Sequence, residues 1–185
     1  MLTLPNSLTL LRIIAIPIFL SILAQGNYGA AFIVLVCAGI TDVIDGAVAR
    51  ITDSGSDLGA VLDPMADKLL LLSSFLVLGF SGHLPAWLVA VVVMRDVILL
   101  LGYLTIFVVY QEWMRIEPSQ LGKMTTFIQL FTVGFALVGQ ARPDLPLQWF
   151  NYTMQCLTAL ATAASGVQYV YRGLLSQQHR DNVAP

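Results

Sequence analysis

Charge is scarce in this sequence: 11% of its 185 residues are Asp, Glu, Lys or Arg, while 57% are hydrophobic. An ordinary soluble domain has about 25% charged residues, so this composition excludes one. The nine Lys and Arg form no stripe and the net charge is −2, which leaves nothing to neutralise a nucleic-acid backbone. Cysteine is nearly absent. Cys37 and Cys156 both fall inside apolar runs, where a free thiol acts as a small hydrophobe, and two are too few for a disulfide scaffold. The first apolar run has no basic segment before it and no small-x-small site after it, so it reads as a permanent span rather than a cleaved signal.

Long apolar runs are what the sequence has in abundance. A helix needs about 20 apolar residues to cross a hydrocarbon core of about 30 Å. Six such runs occur, at roughly 8–24, 29–49, 60–80, 84–110, 121–139 and 147–172. The expected fold is therefore all-α, a polytopic membrane protein built as a six-transmembrane-helix bundle. Six spans put both termini on one side. With the N-terminus in the cytoplasm, the outer loops 25–28, 81–83 and 140–146 carry only Arg142, as the excess of basic residues on the inner side requires. Asn6 or Ser7 is the expected cap of the first helix, and Pro17 lies within it. Trp87 follows Pro85 at an interface, and Arg95-Asp96, about eleven residues into the fourth span, should face the bundle interior. Ala159, Ala163 and Gly166 offer a small-residue face for close helix packing, within one chain or between two. Beyond Arg172 the chain is polar and is expected to fray.

Against this apolar background, six of the eleven acidic residues crowd into positions 42–67: Asp42, Asp45, Asp53, Asp57, Asp63 and Asp67. Asp42 and Asp45 are three apart and Asp63 and Asp67 four apart, so on helices each pair projects from one face. Four carboxylates at the inner ends of two consecutive antiparallel helices repel one another, and each ionised Asp at mid-membrane costs ~2.5–3.5 kcal/mol. Bound cations relieve both costs. Oxygen donors without histidine or cysteine favour hard ions such as Mg²⁺, Mn²⁺ or Ca²⁺ over zinc. A two-metal carboxylate site suits phosphoryl-type transfer. Gly46 and Gly59 permit close approach of a ligand, and Arg50 is suited to a phosphate. The residues alone thus point to a metal-dependent, phosphate-handling, membrane-embedded enzyme.

The pattern Asp42-x-x-Asp45-Gly46-x-x-Ala49-Arg50, eight residues, Gly59-x-x-x-Asp63-x-x-x-Asp67 resembles the signature of the CDP-alcohol phosphatidyltransferases at all eight fixed positions. Pro5-Asn6 with Leu8-Thr9 and Arg12, Asp63-Pro64-Met65-Ala66-Asp67-Lys68, and Gly122-Lys123 with Thr126 and Gln129 resemble the branch that makes phosphatidylglycerol phosphate or cardiolipin. The resemblance implies a membrane domain over residues 1–174 with a polar C-terminal tail over 175–185, a cytoplasm-facing polar cavity, and a homodimer. It implies an integral membrane location, the inner membrane in a bacterium, with active site and termini facing the cytoplasm.

By the same resemblance, Asp42, Asp45, Asp63 and Asp67 hold two divalent cations, Mg²⁺ or Mn²⁺, and Asp67 is also the general base. Asp45, Gly46, Ala49, Arg50 and Gly59 surround the CDP-alcohol. The phosphatidyl group of CDP-diacylglycerol passes to a glycerol-type acceptor, glycerol 3-phosphate or phosphatidylglycerol, and CMP leaves. Arg95 and Lys123 are the acceptor-binding residues. Arg95-Asp96-Val97 resembles the cardiolipin synthases that use CDP-diacylglycerol. The glycerol-phosphate-using branch commonly has Glu after this Arg and a further Arg eight positions on, where this sequence has Asp96 and Tyr103. A buried Arg95-Asp96 pair that only stabilises the bundle is the competing reading. Inositol phosphate or serine is the alternative acceptor, and a transporter or channel with an acidic ion site is the alternative from another class. Asp53 and Asp57 lie outside the motif and read as a solvated turn.

Overall fold

The computed structural model describes the backbone of residues 4–52, 57–110 and 119–181, and the side chains of residues 14–41, 68–102 and 119–172. Six α-helices follow one another, α1 Leu4–Ala24, α2 Tyr28–Thr52, α3 Asp57–Phe80, α4 Ala86–Tyr110, α5 Gln120–Ala141 and α6 Gln148–Asp181, and no strand occurs among the described residues. They stand where the six apolar runs placed them. Among the described residues one helix, α5, is long and apolar enough by itself to cross a membrane, and the stretches Ile14–Ala24, Tyr28–Thr41 and Lys68–Phe80 are shorter apolar helices.

Several boundaries differ from the expected ones. α1 begins at Leu4, before Asn6 and Ser7, because Pro5 in a first turn lacks only an N–H that a helix start leaves unused. Asp57 is the first residue of α3 and no part of a turn, and a carboxylate there suits the positive end of the helix dipole; Asp53 lies outside the described residues. α6 continues to Asp181, past the expected fraying point at Arg172, since extending an existing helix is far cheaper than starting one.

The chain divides into two compact units. The first contains residues 1–84 and 133–151, so it holds α1, α2, α3 and the α5–α6 connection. Its core is apolar: Phe19 and Leu23 of α1, Ala31 and Leu35 of α2, Phe75 and Leu78 of α3. α1 packs against both α2 and α3, and a small apolar cavity lies among Ala15, Ile16, Val34, Ala38 and Leu70.

The ends of α1 and α3 are built alike. Gly26 (φ 76°) and Gly82 (φ 75°) adopt the left-handed conformation that only glycine takes cheaply. Behind them, Asn27 N–H donates to Ile22 O (3.2 Å) and Gly26 N–H to Leu23 O (3.0 Å), while His83 N–H donates to Leu78 O (2.9 Å) and Gly82 N–H to Gly79 O (3.0 Å). Each is a Schellman closure that satisfies the last carbonyls of its helix. His83, in the second turn, and Tyr28, one residue beyond the first, share a 2.6 Å hydrogen bond between Nε2 and Oη with their rings edge to face. A Cβ on Gly29 would touch Ala141 at 3.9 Å, so the end of α5 lies at this level too. The segments 25–28, 81–83 and 140–146 therefore gather at one end of this unit.

The second unit, residues 85–132 and 152–185, contains α4, most of α5 and most of α6. Leu88 and Val92 of α4 are buried in it, but the seam between α5 and α6 is polar. Thr125, Gln129 and Thr132 of α5 and Thr158, Thr162 and Ser165 of α6 are all buried. Thr132 and Thr158 join their hydroxyls at 2.6 Å, Gln129 Nε2 donates to Thr162 Oγ1 at 3.1 Å, and Thr125 Oγ1 donates to Ala161 O at 3.1 Å. This ladder is the face α6 turns to α5; of the expected small residues next to it, Gly166 lies against α4, where a Cβ would meet Arg95 Cγ at 3.6 Å, Ala159 is half-buried and Ala163 is exposed. Hydroxyls that need partners outrank methyl groups in choosing which side of a helix turns inward.

Cys37 is exposed and Cys156 half-buried, and both are free. Replacing Gly82 by Ala is expected to cost about 1–2 kcal/mol from the left-handed backbone. Gly39→Ala, in α2 with nothing within 4 Å of the new Cβ, should instead gain up to about 1 kcal/mol. Thermal unfolding in detergent should move the two midpoints in opposite directions.

Candidate functional site

The acidic pairs sit on the two helices that the Tyr28–His83 bond ties together at one end. Asp42, Asp45, Gly46, Ala49 and Arg50 belong to α2, and Gly59, Asp63 and Asp67 to α3; their side chains lie outside the described residues, as does the polar cavity expected beside them. The helix bounds and the ideal helical rise still give their level. At 1.5 Å rise per residue, Asp42 and Asp45 lie ~21 and ~26 Å along α2 from Tyr28, and Asp67 and Asp63 lie ~20 and ~26 Å along α3 from Phe80. Because α2 leaves the Tyr28–His83 end and α3 returns to it, Asp42 comes level with Asp67, and Asp45 with Asp63. Each level then has one aspartate backbone position from each helix. Oxygen donors of this number and charge fit hard divalent cations. Among the described residues no three His, Cys, Asp or Glu side chains gather into a possible metal site, and these four lie outside that set.

The two expected acceptor residues belong to the other unit. Arg95 of α4 is 6% exposed. Its Nη1 donates to Asp96 Oδ1 at 2.6 Å and its Nη2 to Ser165 Oγ of α6 at 3.1 Å, while its Cζ stands 5.8 Å from the centre of the Tyr169 ring. Nε is buried and has no hydrogen-bond partner among the described residues. The interior placement expected of Arg95-Asp96 is what the structure has, and the pair is made. A buried donor left over beside a neutralised charge is costly to keep, and an anionic oxygen would satisfy it.

Lys123 is exposed in the first turn of α5. That turn is capped by Ser119, whose Oγ accepts the Gly122 N–H at 3.0 Å and whose carbonyl accepts the Lys123 N–H at 3.0 Å. Gly122 is buried, and a Cβ there would meet the Tyr169 Oη at 2.8 Å and the Ser119 Oγ at 3.2 Å. The Gly122-Lys123 pair therefore combines an inward glycine required by packing with an outward cation. Ser119, Ser165 and Tyr169 did not stand out in the sequence. Ser119 carried a signal, a cap residue three positions before a glycine at the start of an apolar run. Ser165 and Tyr169 are recognisable only through Arg95, seventy or more positions away.

Removing one partner of the Arg95–Asp96 pair leaves a half-buried charge alone. Arg95→Met is expected to cost at the lower end of about 3–5 kcal/mol, and the double variant Arg95→Met/Asp96→Asn to recover most of it. Unfolding midpoints of the four proteins in one detergent measure the coupling.

Comparison with known proteins comes from the whole chain. The family model described as CDP-alcohol phosphatidyltransferase matches residues 2–165. A protein of Drosophila melanogaster named "Probable cardiolipin synthase (CMP-forming)" is 36% identical over 91% of this chain and 56% of its own length. One of Mycobacterium tuberculosis named "Probable phosphatidylglycerophosphate synthase" is 33% identical over 92% of this chain and 81% of its own. The human "Cardiolipin synthase (CMP-forming)" is 30% identical over 92% and 62%. The chain thus spans little more than half the length of the Drosophila relative.

Proposed function

This chain belongs to the CDP-alcohol phosphatidyltransferase family, and from that membership we propose that it transfers the phosphatidyl group of CDP-diacylglycerol to a glycerol-type acceptor. The acceptor is glycerol 3-phosphate or phosphatidylglycerol, and CMP is the leaving product. The names of the relatives support the two acceptors. What supports the reading is the position of the four aspartates on α2 and α3, where the helical rise puts Asp42 level with Asp67 and Asp45 level with Asp63.

In this reading the four aspartates hold two divalent cations, Mg²⁺ or Mn²⁺, which when bound offset the charge of the phosphate oxygens. Asp45, Gly46, Ala49, Arg50 and Gly59 enclose the CDP moiety; the two glycines let backbone approach the pyrophosphate, and Arg50 pairs with it. Asp67 accepts the proton of the acceptor hydroxyl. The hydroxyl oxygen then bonds to the phosphorus that carries diacylglycerol, the bond from that phosphorus to the CMP oxygen breaks, and CMP departs with the electron pair. Arg95 and Lys123 hold the acceptor phosphate.

The protein does this as an integral membrane enzyme, a six-helix bundle acting as a homodimer, with both termini and the site facing the cytoplasm. Surface chemistry supports the membrane. In the first unit Ile14, Ile18, Ile33, Ile40 and Leu69 are exposed, and in the second Met94, Leu100, Phe127, Leu160 and Val167 are. Apolar outside with hydroxyls inside is the reverse of a water-soluble bundle and suits lipid as solvent. Phe80 (89% exposed) and Trp149 (84% exposed) lie at the end of the first unit where the turns gather, as interfacial aromatics do.

Purified protein supplied with CDP-diacylglycerol and Mn²⁺ or Mg²⁺ should release CMP when glycerol 3-phosphate or phosphatidylglycerol is added. Release only with inositol phosphate or serine would move the protein to another branch, and none with any acceptor would sink the transfer reading. Chelation of divalent ions should stop release, and their return should restore it. Asp67→Asn should lower turnover by at least about 10²-fold, the worth of a general base, with a smaller effect on CDP-alcohol binding. A variant that stays active removes Asp67 from that role.

A further inference from the structure

Three helices meet at one side chain of α6. Tyr169 Oη accepts the Ser119 N–H at 2.9 Å, and that amide precedes α5, where no intrahelical carbonyl can serve it. The face of its ring carries the Arg95 guanidinium of α4, 5.8 Å from Cζ to the ring centre. Its hydroxyl fits against the first turn of α5 only because residue 122 is glycine, since a Cβ would stand 2.8 Å from Oη and 3.3 Å from Cε2. Ser165, one turn earlier on the same face of α6, fixes the other side of Arg95 through Nη2. The two cationic residues are thus attached to one rigid support. Arg95 is held from below by a ring and from the side by a hydroxyl, and the turn bearing Lys123 is pinned at its first amide.

We infer that Tyr169 is a positioning residue for the acceptor phosphate, setting the start of α5, and with it Lys123, relative to Arg95. The inference rests on the reading of Arg95 and Lys123 as acceptor contacts. It explains why a hydroxyl is needed as well as a ring: phenylalanine would keep the contact with the guanidinium but leave the Ser119 amide without its acceptor. The first turn of α5 would then be free to shift while the bundle stays intact. Only substrates held by that turn should register the loss; CDP-diacylglycerol, bound by residues of α2 and α3, should not.

Steady-state CMP release by Tyr169→Phe, with each substrate varied in turn, separates these effects. The acceptor KM should rise about fivefold, the worth of one hydrogen bond, while kcat and the KM for CDP-diacylglycerol stay within about twofold. Hydrogen exchange of the amides at 119–123, which needs no turnover, should speed up in the same variant. Gly122→Ala pushes on the hydroxyl from the other side and should reproduce the acceptor defect, which guards against a Phe variant that fails to fold. Unchanged exchange at 119–123 overturns the anchoring by Tyr169. Faster exchange with an unchanged acceptor KM overturns its positioning role. Equal rises in both KM values with a lowered unfolding midpoint reduce the residue to a structural one and overturn the inference as well. A wild-type protein that binds CDP-diacylglycerol but releases no CMP with any acceptor overturns the transfer reading, and this inference with it.

Discussion

Polar groups that leave water must find partners inside the chain, and that requirement organises the second unit. Thr125, Gln129, Thr132, Thr158, Thr162 and Ser165 are buried, and the hydrogen bonds they make across α5 and α6 set both the facing and the register of the two helices. Apolar packing has little to say here, because the outward faces are as apolar as any core. Where the outside solvent is hydrocarbon, shape and hydrogen bonding replace the hydrophobic effect as the source of helix association. Arg95 is the extreme case: two of its nitrogens are bonded, its face is covered, and Nε remains for something the described residues do not supply.

The first unit obeys a different constraint. Its core is apolar, and its register is set at one end by two Schellman turns and the Tyr28–His83 bond. That bond lies about 20 Å or more along the helices from the aspartates, and the levels of Asp42, Asp45, Asp63 and Asp67 are counted from it. A slip of α2 against α3 by one turn would shift the two aspartate pairs by about 5.4 Å along the helices relative to each other. Glycine and aromatic chemistry at one end of the unit thus sets where α2 starts and where α3 stops.

Much of this was legible from residues alone. The apolar runs marked the number and order of the six helices, with ends off by up to nine residues, because length and composition carry that information directly. The interior position of Arg95-Asp96 followed from the cost of a charge at mid-span, and the aspartate spacing predicted two helical pairs. What escaped concerns choice among equivalent faces. Ala159, Ala163 and Gly166 and the neighbouring Thr158, Thr162 and Ser165 have almost the same helical period, and only the partners on α5 and α4 decide that the hydroxyls go in. Asn6 and Ser7 are good caps, but Pro5 allowed α1 to begin before them. Tyr169 is one of six tyrosines, and nothing near it in the chain distinguishes it.

The seam between α5 and α6 also has a mechanical character. Thr125 and Thr132 each bond a carbonyl of their own helix, Leu121 O at 2.8 Å and Ile128 O at 3.0 Å, as well as one on α6. If the helices part, these hydroxyls lose a second partner and keep the first. Nothing is stranded, so the opened state carries no desolvated orphan at these two positions. Gln129 is different, because the partner its amide nitrogen has is Thr162, across the seam. Opening the seam would thus leave one amide, that of Gln129, without its partner, while Thr125 and Thr132 would give up only the cross-helix bonds, Thr132 with Thr158 included, that together set the register.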